Sequence, residues 1–287
     1  MGKLTQALER NSASGHQSTA SVSLEPQKIQ QPIETTSAKA AEEKTDKADN
    51  CFAADHWNKR LQLSTNPHSP FFESFRRLRT PILYPSSGKP PKTILVTSVV
   101  PHEGKGFICA NLGIALAQGM EHHALMLDCD LRRPALAQLF GLSNETGLVD
   151  HLQDNIDISH LIRKTGQPKL SLIPSGKPPR NPSDLLDSNR MVSLIDELAN
   201  RYQDRIILFD SPPNIVASET NILAKYLDGV ILVVRYGTSK KEHVKKFIDT
   251  IGPEKILGLV FNAYPENKME AFLDKKMGYG YHDYYSG

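Results

Sequence analysis

Residues 101–107, Pro-His-Glu-Gly-Lys-Gly-Phe, carry the most informative chemistry in this chain. A Gly-Lys pair that opens a helix aims backbone N–H groups and a mobile ammonium at phosphate oxygens. Ile94, Leu95 and Val96 ahead of it read as a buried strand, and Ile108, Leu112, Ala115 and Leu116 follow at helical spacing. Strand, turn, Gly104-Lys105 and helix is the order of a nucleotide-binding phosphate loop. Candidate nucleotide contacts are therefore Pro101, His102, Glu103, Gly104, Lys105, Gly106 and Phe107. Two positions depart from that pattern. Ser or Thr normally follows the lysine and gives its hydroxyl to Mg²⁺, whereas Gly106 and Phe107 follow here. Val99 stands where the loop is expected to open on a small residue.

Three carboxylates are written at the ends of apolar runs, in Leu127-Asp-Cys-Asp-Leu-Arg-Arg-Pro134 and in Phe209-Asp-Ser-Pro-Pro213. An Asp at the tip of such a strand is costly to bury alone but well placed to hold Mg²⁺ beside phosphates. Asp128 and Asp210 are the candidate metal residues. Asp128 and Asp130, two apart in an extended chain, point to one side and could draw a proton from an attacking hydroxyl. A helix cap is the ordinary alternative for any one of them. Asn262 closes the last apolar run and could read an adenine edge, with a plain turn residue as its alternative. Cys129 lies between two aspartates that disfavour a thiolate, so no catalytic role is assigned to it.

The C-terminus forms a second group. Four of the chain's nine tyrosines, Tyr279, Tyr281, Tyr284 and Tyr285, fall among Gly, Asp and Ser in residues 277–287. Each phenol is a nucleophile, so the tail reads either as a phosphate acceptor or as an aromatic contact patch for a partner.

Alternating elements must position these residues. Strands are predicted near 93–98, 124–128, 170–174, 206–210, 230–235 and 256–262. Helices are predicted between them, the longer near 105–119, 189–202, 217–226 and 239–250 and the shorter near 133–139, 148–153 and 183–187. Continuous apolar strands such as Val230-Ile-Leu-Val-Val234 suit a sheet covered on both faces. The prediction is an α/β fold, doubly wound around a mostly parallel sheet, with its ligand at the strands' carboxyl ends. Phe71, Phe72, Phe75, Leu78 and Ile82 mark a further helix from Ser69-Pro70, with Glu73, Arg76 and Arg79 near one face. Residues 11–60, mostly polar, read as a disordered linker. Residues 1–10 read as a short docking helix or, equally, a frayed terminus. The 287 residues carry a net charge of +2, which gives no footprint for nucleic acid. Three cysteines without paired spacing suit a reducing compartment. No run approaches the ~20 apolar residues of a membrane span.

With the phosphate loop, the Asp-Leu-Arg-Arg-Pro run, Asp210-Ser-Pro-Pro213 and the tyrosine tail together, the chain resembles the cytoplasmic domain of bacterial tyrosine kinases. These are the autokinases of capsule and exopolysaccharide export, related to the partition-type ATPases with a deviant phosphate loop. The resemblance implies a kinase domain over 61–276 and a phosphoacceptor tail over 277–287. It implies ATP and Mg²⁺ as cofactors, Lys105 as the phosphate-loop lysine, Asp128 and Asp130 as the second acidic motif, and Asp210 as the third. Glu73, Arg76 and Arg79 match the element through which members associate into rings, which implies a homo-oligomer. A membrane polysaccharide co-polymerase would be the activator, a phosphotyrosine phosphatase a further partner, and the inner face of the plasma membrane the location. The family's loop carries Gly where His102 stands and Ser or Thr where Gly106 stands. Those departures keep open an alternative, a weak or inactive nucleotide-binding pseudokinase that regulates assembly of the export complex.

Overall fold

The computed structural model describes residues 56–62, 65–66, 69–201, 204–216 and 218–263. The expected docking helix 1–10, the linker up to residue 55 and the tyrosine tail lie outside the described residues. Seven strands, β1 (Thr93–Ser98), β2 (His123–Asp128), β3 (Arg163–Lys164), β4 (Leu170–Ile173), β5 (Arg205–Asp210), β6 (Gly229–Arg235) and β7 (Ile256–Asn262), form one sheet. Their order is β3-β4-β2-β5-β1-β6-β7. β3 runs antiparallel to β4, and the other pairs are parallel. The sequence predicted six strands, and β3 is too short to leave a hydrophobic pattern. β5 and β6 are consecutive in the chain yet flank β1 on opposite sides, so a crevice opens at the carboxyl ends there.

Period-two alternation divides the core between the faces. Ile94 and Val96 of β1 point into one apolar layer and Leu95 into the other. The first layer is built on α1 (Lys59–Gln62), α2 (Pro70–Leu83), α3 (Lys105–Ala117) and α4 (Leu136–Leu139). The second gathers α5 (Leu148–Asp154), α6 (Pro182–Leu186), α7 (Asn189–Arg201), α8 (Glu219–Tyr226) and α9 (Lys241–Ile251). α3 is apolar all round because the sheet lies beneath it and α2 above, as a helix buried on every side requires. Ser69 starts α2 by accepting the Phe72 N–H through its hydroxyl (3.1 Å).

Residues 56–60, placed in the linker by the sequence reading, belong to the packed domain. Residues 56–62 pack onto the domain because Trp57 and Leu61, only 3% and 0% exposed, supply the apolar area that the preceding polar stretch lacks. The Trp57 ring meets Phe140 edge-on at 5.0 Å, and its indole N–H donates to the Thr165 carbonyl (2.7 Å). The Asn58 N–H donates to the carbonyl of Leu139 at the end of α4 (2.9 Å). Gly141, at φ +66°, lets the strap lie this close, since a Cβ there would meet the His56 carbonyl oxygen at 2.4 Å. Trp57 is the chain's single tryptophan. Trp57→Ala is expected to cost about 3–5 kcal/mol, read as a lower urea midpoint by far-UV circular dichroism.

Candidate active site

The phosphate loop joins β1 to α3 and is held from inside by Glu103, whose side chain is fully buried. One carboxylate oxygen accepts the N–H groups of Val99 and Val100 (3.0 and 3.1 Å). The other accepts the Arg235 N–H (3.0 Å) and the Ser239 hydroxyl (2.8 Å). Glu103, expected among the nucleotide contacts, therefore shapes the loop through its side chain. Val99 fits where a small residue was expected because its side chain is buried in the second apolar layer. His102 is exposed in the left-handed region (φ +65°), a conformation that costs a non-glycine residue about 1 kcal/mol. Gly104 caps α3 at φ +91°, and a Cβ there would stand 2.2 Å from the Asn262 amide nitrogen. That amide donates to the Glu103 carbonyl (2.7 Å). Asn262 is thus a brace of the loop.

Past this turn the first N–H groups of α3 have no partner within the helix, and a phosphate can take them. The Lys105 ammonium rests on Asp130 at 2.7 Å. Burial pushes its pKa down, but Asp210 first and then Asp130 outweigh burial and hold the charged form above its ordinary range. Phe107 turns from the loop toward α2, with its ring 5.7 Å from that of Phe71.

The three carboxylates converge, each in a different environment. Asp128 accepts the N–H groups of Ala135 and Leu136 on one oxygen (3.0 and 2.9 Å) and that of Asp130 on the other (3.3 Å). It caps α4 from the tip of β2. Its burial pushes the pKa up to about 6 despite those bonds. Asp210 is fully buried, and among the described residues neither of its oxygens has a hydrogen-bond partner. Burial pushes its pKa well up, against the pull of Lys105. A Cβ on Gly106 would lie 3.0 Å from Asp210 Oδ2, so the missing side chain at 106 is the one that would have faced this carboxylate. Burial and the neighbouring aspartates push the Cys129 thiol up as well.

A bare, buried carboxylate beside a phosphate-aimed helix end is a fit for a divalent cation. Among the described residues no three His, Cys, Asp or Glu side chains are grouped to hold a metal by themselves. Mg²⁺ takes one or two carboxylates and completes its shell with phosphate and water oxygens.

Two features around the site went beyond the sequence reading. Arg132, in the Asp-Leu-Arg-Arg run, meets the buried Glu219 at 3.0 Å, and the Ser183 hydroxyl donates to the same oxygen (2.8 Å). Burial would raise the Glu219 pKa, but bonds from its own backbone N–H, Ser183 and Arg132 hold it below the ordinary value. On α2, Glu73 pairs with Arg76 (3.0 Å), while Arg79 donates to the Ala115 carbonyl at the end of α3 (2.8 Å). Glu73 and Arg76 share the outer face. Arg79 ties α2 to α3.

Asp128 and Asp210 have raised folded-state pKa values, so the native chain holds their protons more tightly than the unfolded one. Their cost to stability is absent below about pH 4 and grows as pH rises through about 6 and beyond. Lys105 has the opposite sign, a contribution fully present until pH exceeds the ordinary lysine range. Asp210→Asn is therefore expected to stabilise the nucleotide-free protein by about 1–3 kcal/mol at pH 7.5, an advantage that vanishes toward pH 4. Urea denaturation across that range measures it.

No family model matches the chain. It is 31% identical over 220 residues to tyrosine-protein kinase YwqD of Bacillus subtilis, covering 76% of this chain and 89% of that one. It is 32% identical over 198 residues to tyrosine-protein kinase CpsD of Streptococcus agalactiae, covering 68% and 83%. Against the putative tyrosine-protein kinase EpsB of Ralstonia solanacearum it is 33% identical over 203 residues, which span only 27% of that longer relative. Among solved structures, the chimerical protein CapA2B2 superposes with a TM-score of 0.65 at 32% identity, covering 73% of this chain and 92% of that one. The kinase domain of the Escherichia coli tyrosine kinase ETK gives 0.64 at 26% identity, covering 71% and 82%. With relatives above 30% identity that the chain covers over more than two thirds of their length, the chain belongs to the bacterial tyrosine-protein kinase family.

Proposed function

We propose that the chain is an ATP-dependent protein-tyrosine autokinase whose acceptors are the tail phenols Tyr279, Tyr281, Tyr284 and Tyr285. The observation that carries this reading is the bare Asp210 carboxylate facing Gly106, with Lys105 and the α3 N-terminus beside it. Bound Mg-ATP would supply the phosphoryl group and the cation that neutralises its charge. Lys105 would exchange part of its bond to Asp130 for phosphate oxygens, and the amides of Gly104 to Phe107 would hold the rest. Asp210, with Asp128, would hold the metal. Freed from Lys105, Asp130 becomes an acceptor for a tyrosine proton. Asp128, already capping α4, is the less available base.

The reading extends to assembly. Glu73 and Arg76 remain on the outer face of α2, where a neighbouring copy could engage them in a ring, with Arg79 setting that helix on α3. Among the described residues no helix is long and apolar enough to cross a membrane. Placement at the inner face of the plasma membrane would then come through a co-polymerase partner, with control of an exported polysaccharide as the process and a phosphotyrosine phosphatase as the opposing partner.

Purified chain incubated with Mg-ATP, alone and with membranes of its own cells, is expected to gain tail phosphotyrosine by mass spectrometry. Lys105→Met is expected to abolish it. Phosphate on both proteins, or on neither under both conditions, overturns the kinase reading. Gly106→Ser sets a hydroxyl beside Asp210 and is expected to raise turnover several-fold, on the order of 1 kcal/mol of barrier. Unchanged or lower turnover would show that the cation is held without it.

A further inference from the structure

Asp128 and Asp210 are the last residues of β2 and β5, whereas Asp130 lies beyond its strand, at the start of a turn. The Arg133 N–H closes that turn by donating to the Asp130 carbonyl (3.2 Å) and to Asp130 Oδ1 (3.1 Å). Lys105 holds the other carboxylate oxygen, Oδ2, at 2.7 Å. A lysine that turns to phosphate releases Oδ2, and the aim of the carboxylate then rests on the turn. A short turn outside the sheet opens easily unless tertiary contacts fix it.

Arg132, inside that turn, makes such a contact. Its Nε and Nη2 both donate to Glu219 Oε1 (3.3 and 3.0 Å). Nη2 donates also to the Ser183 hydroxyl (3.1 Å), which passes its own proton to the same Glu219 oxygen (2.8 Å). Glu219 is the first residue of α8, with its side chain only 1% exposed. Its second oxygen is buried and has no hydrogen-bond partner among the described residues. Arg132 is thus the cation that meets a buried charge, and parting such a pair is costly. The next residue of α8, Thr220, donates its hydroxyl to the carbonyl of Pro212 (2.7 Å), in the loop that follows Asp210. Arg132 therefore reaches from the turn of one acidic motif to the helix that holds the loop of the other.

We propose that Arg132 is a positioning residue that clamps the Asp130 turn to α8 and α6 through Glu219 and Ser183, so that Asp130 keeps its aim when Lys105 turns to phosphate. In this role Arg132 touches neither phosphate nor phenol. Its loss acts on the step in which Oδ2 of Asp130 takes the phenol proton, and leaves nucleotide affinity almost untouched. The effect on turnover rests on the kinase reading, whereas the clamp on the turn does not.

Two readouts on the full-length chain test it. By nuclear magnetic resonance without nucleotide, Arg132→Met is expected to speed hydrogen exchange of the Arg133 amide at least about tenfold, while the amides of β2 and α3 stay protected. In tail phosphorylation with Mg-ATP, the same substitution is expected to lower kcat about 10–100-fold and to leave the KM for ATP within about threefold. Arg132→Met leaves Glu219 charged and buried, so a second variant combines it with Glu219→Gln. The double variant is expected to regain the urea midpoint of the unmodified chain, but neither the slow Arg133 amide nor the turnover. An Arg133 amide that exchanges no faster in either variant overturns the proposal. Turnover that returns together with the urea midpoint overturns it as well, by making the pair a stabilising contact alone. A raised KM with kcat unchanged does the same, by assigning Arg132 to the nucleotide. If the unmodified chain transfers no phosphate, the kinase reading fails and the exchange result alone decides the clamp.

Discussion

The Lys105 ammonium, just past β1, faces three buried carboxylates at the ends of β2 and β5, and the rest of the site follows from that imbalance. Lys105 neutralises Asp130 directly and stabilises Asp210 at longer range. Asp128 is covered by three backbone N–H groups. Among the described residues no donor meets Asp210. Such a cluster is expensive in a low-dielectric interior unless a cation joins it, so the fold holds a cost that a metal and its phosphates would relieve. The neutral backbone dipoles on Asp128 partly serve this end, which explains why a four-residue helix, α4, sits where it does.

That helix links the site to the start of the domain. The α4 N–H groups hold Asp128, while its last carbonyl is held by the backbone of Asn58 next to buried Trp57. Phe140 follows α4 and packs on Trp57. The orientation of Asp128 thus depends on a strap outside the sheet, and a short helix too weak to stand alone is fixed at both ends by tertiary contacts. Glu103 does the same for the phosphate loop, joining it to the β6–α9 connection through Arg235 and Ser239.

Most of this was legible in the sequence where chemistry and periodicity coincide. Continuous apolar runs gave the strands that carry Asp128 and Asp210, and Gly104-Lys105 gave the turn into α3. What stayed hidden shares one physical cause, that a side chain's partner is set by tertiary contact. Trp57 looked like part of a polar linker because one aromatic in a polar stretch makes no pattern, yet it buries enough area to order its neighbours. Glu103 read as a ligand contact from its place in the phosphate loop and Asn262 from its place at the tip of the last strand, and the side chains of both brace that loop from within. Arg79 read as sharing one face with Glu73 and Arg76, and only the packing of α2 on α3 shows that its guanidinium goes to the Ala115 carbonyl.

The substitution at 106 changes the meaning of its surroundings more than it removes a function. A hydroxyl there would occupy Asp210 as a hydrogen-bond donor or share a cation with it. With glycine, Asp210 keeps its full accepting capacity, and the space beside it is bounded by the Ala135 methyl, 3.6 Å from where a Cβ would stand. A bound Mg²⁺ would then take a water in place of the lost hydroxyl, which would suit a cation that gives up its hydration shell reluctantly. The cost falls on precision, because a water is positioned less tightly than a side-chain oxygen fixed to α3. Lys105, one residue earlier on the same rigid helix and anchored by Asp130, limits that loss by keeping the phosphate end of the site in place.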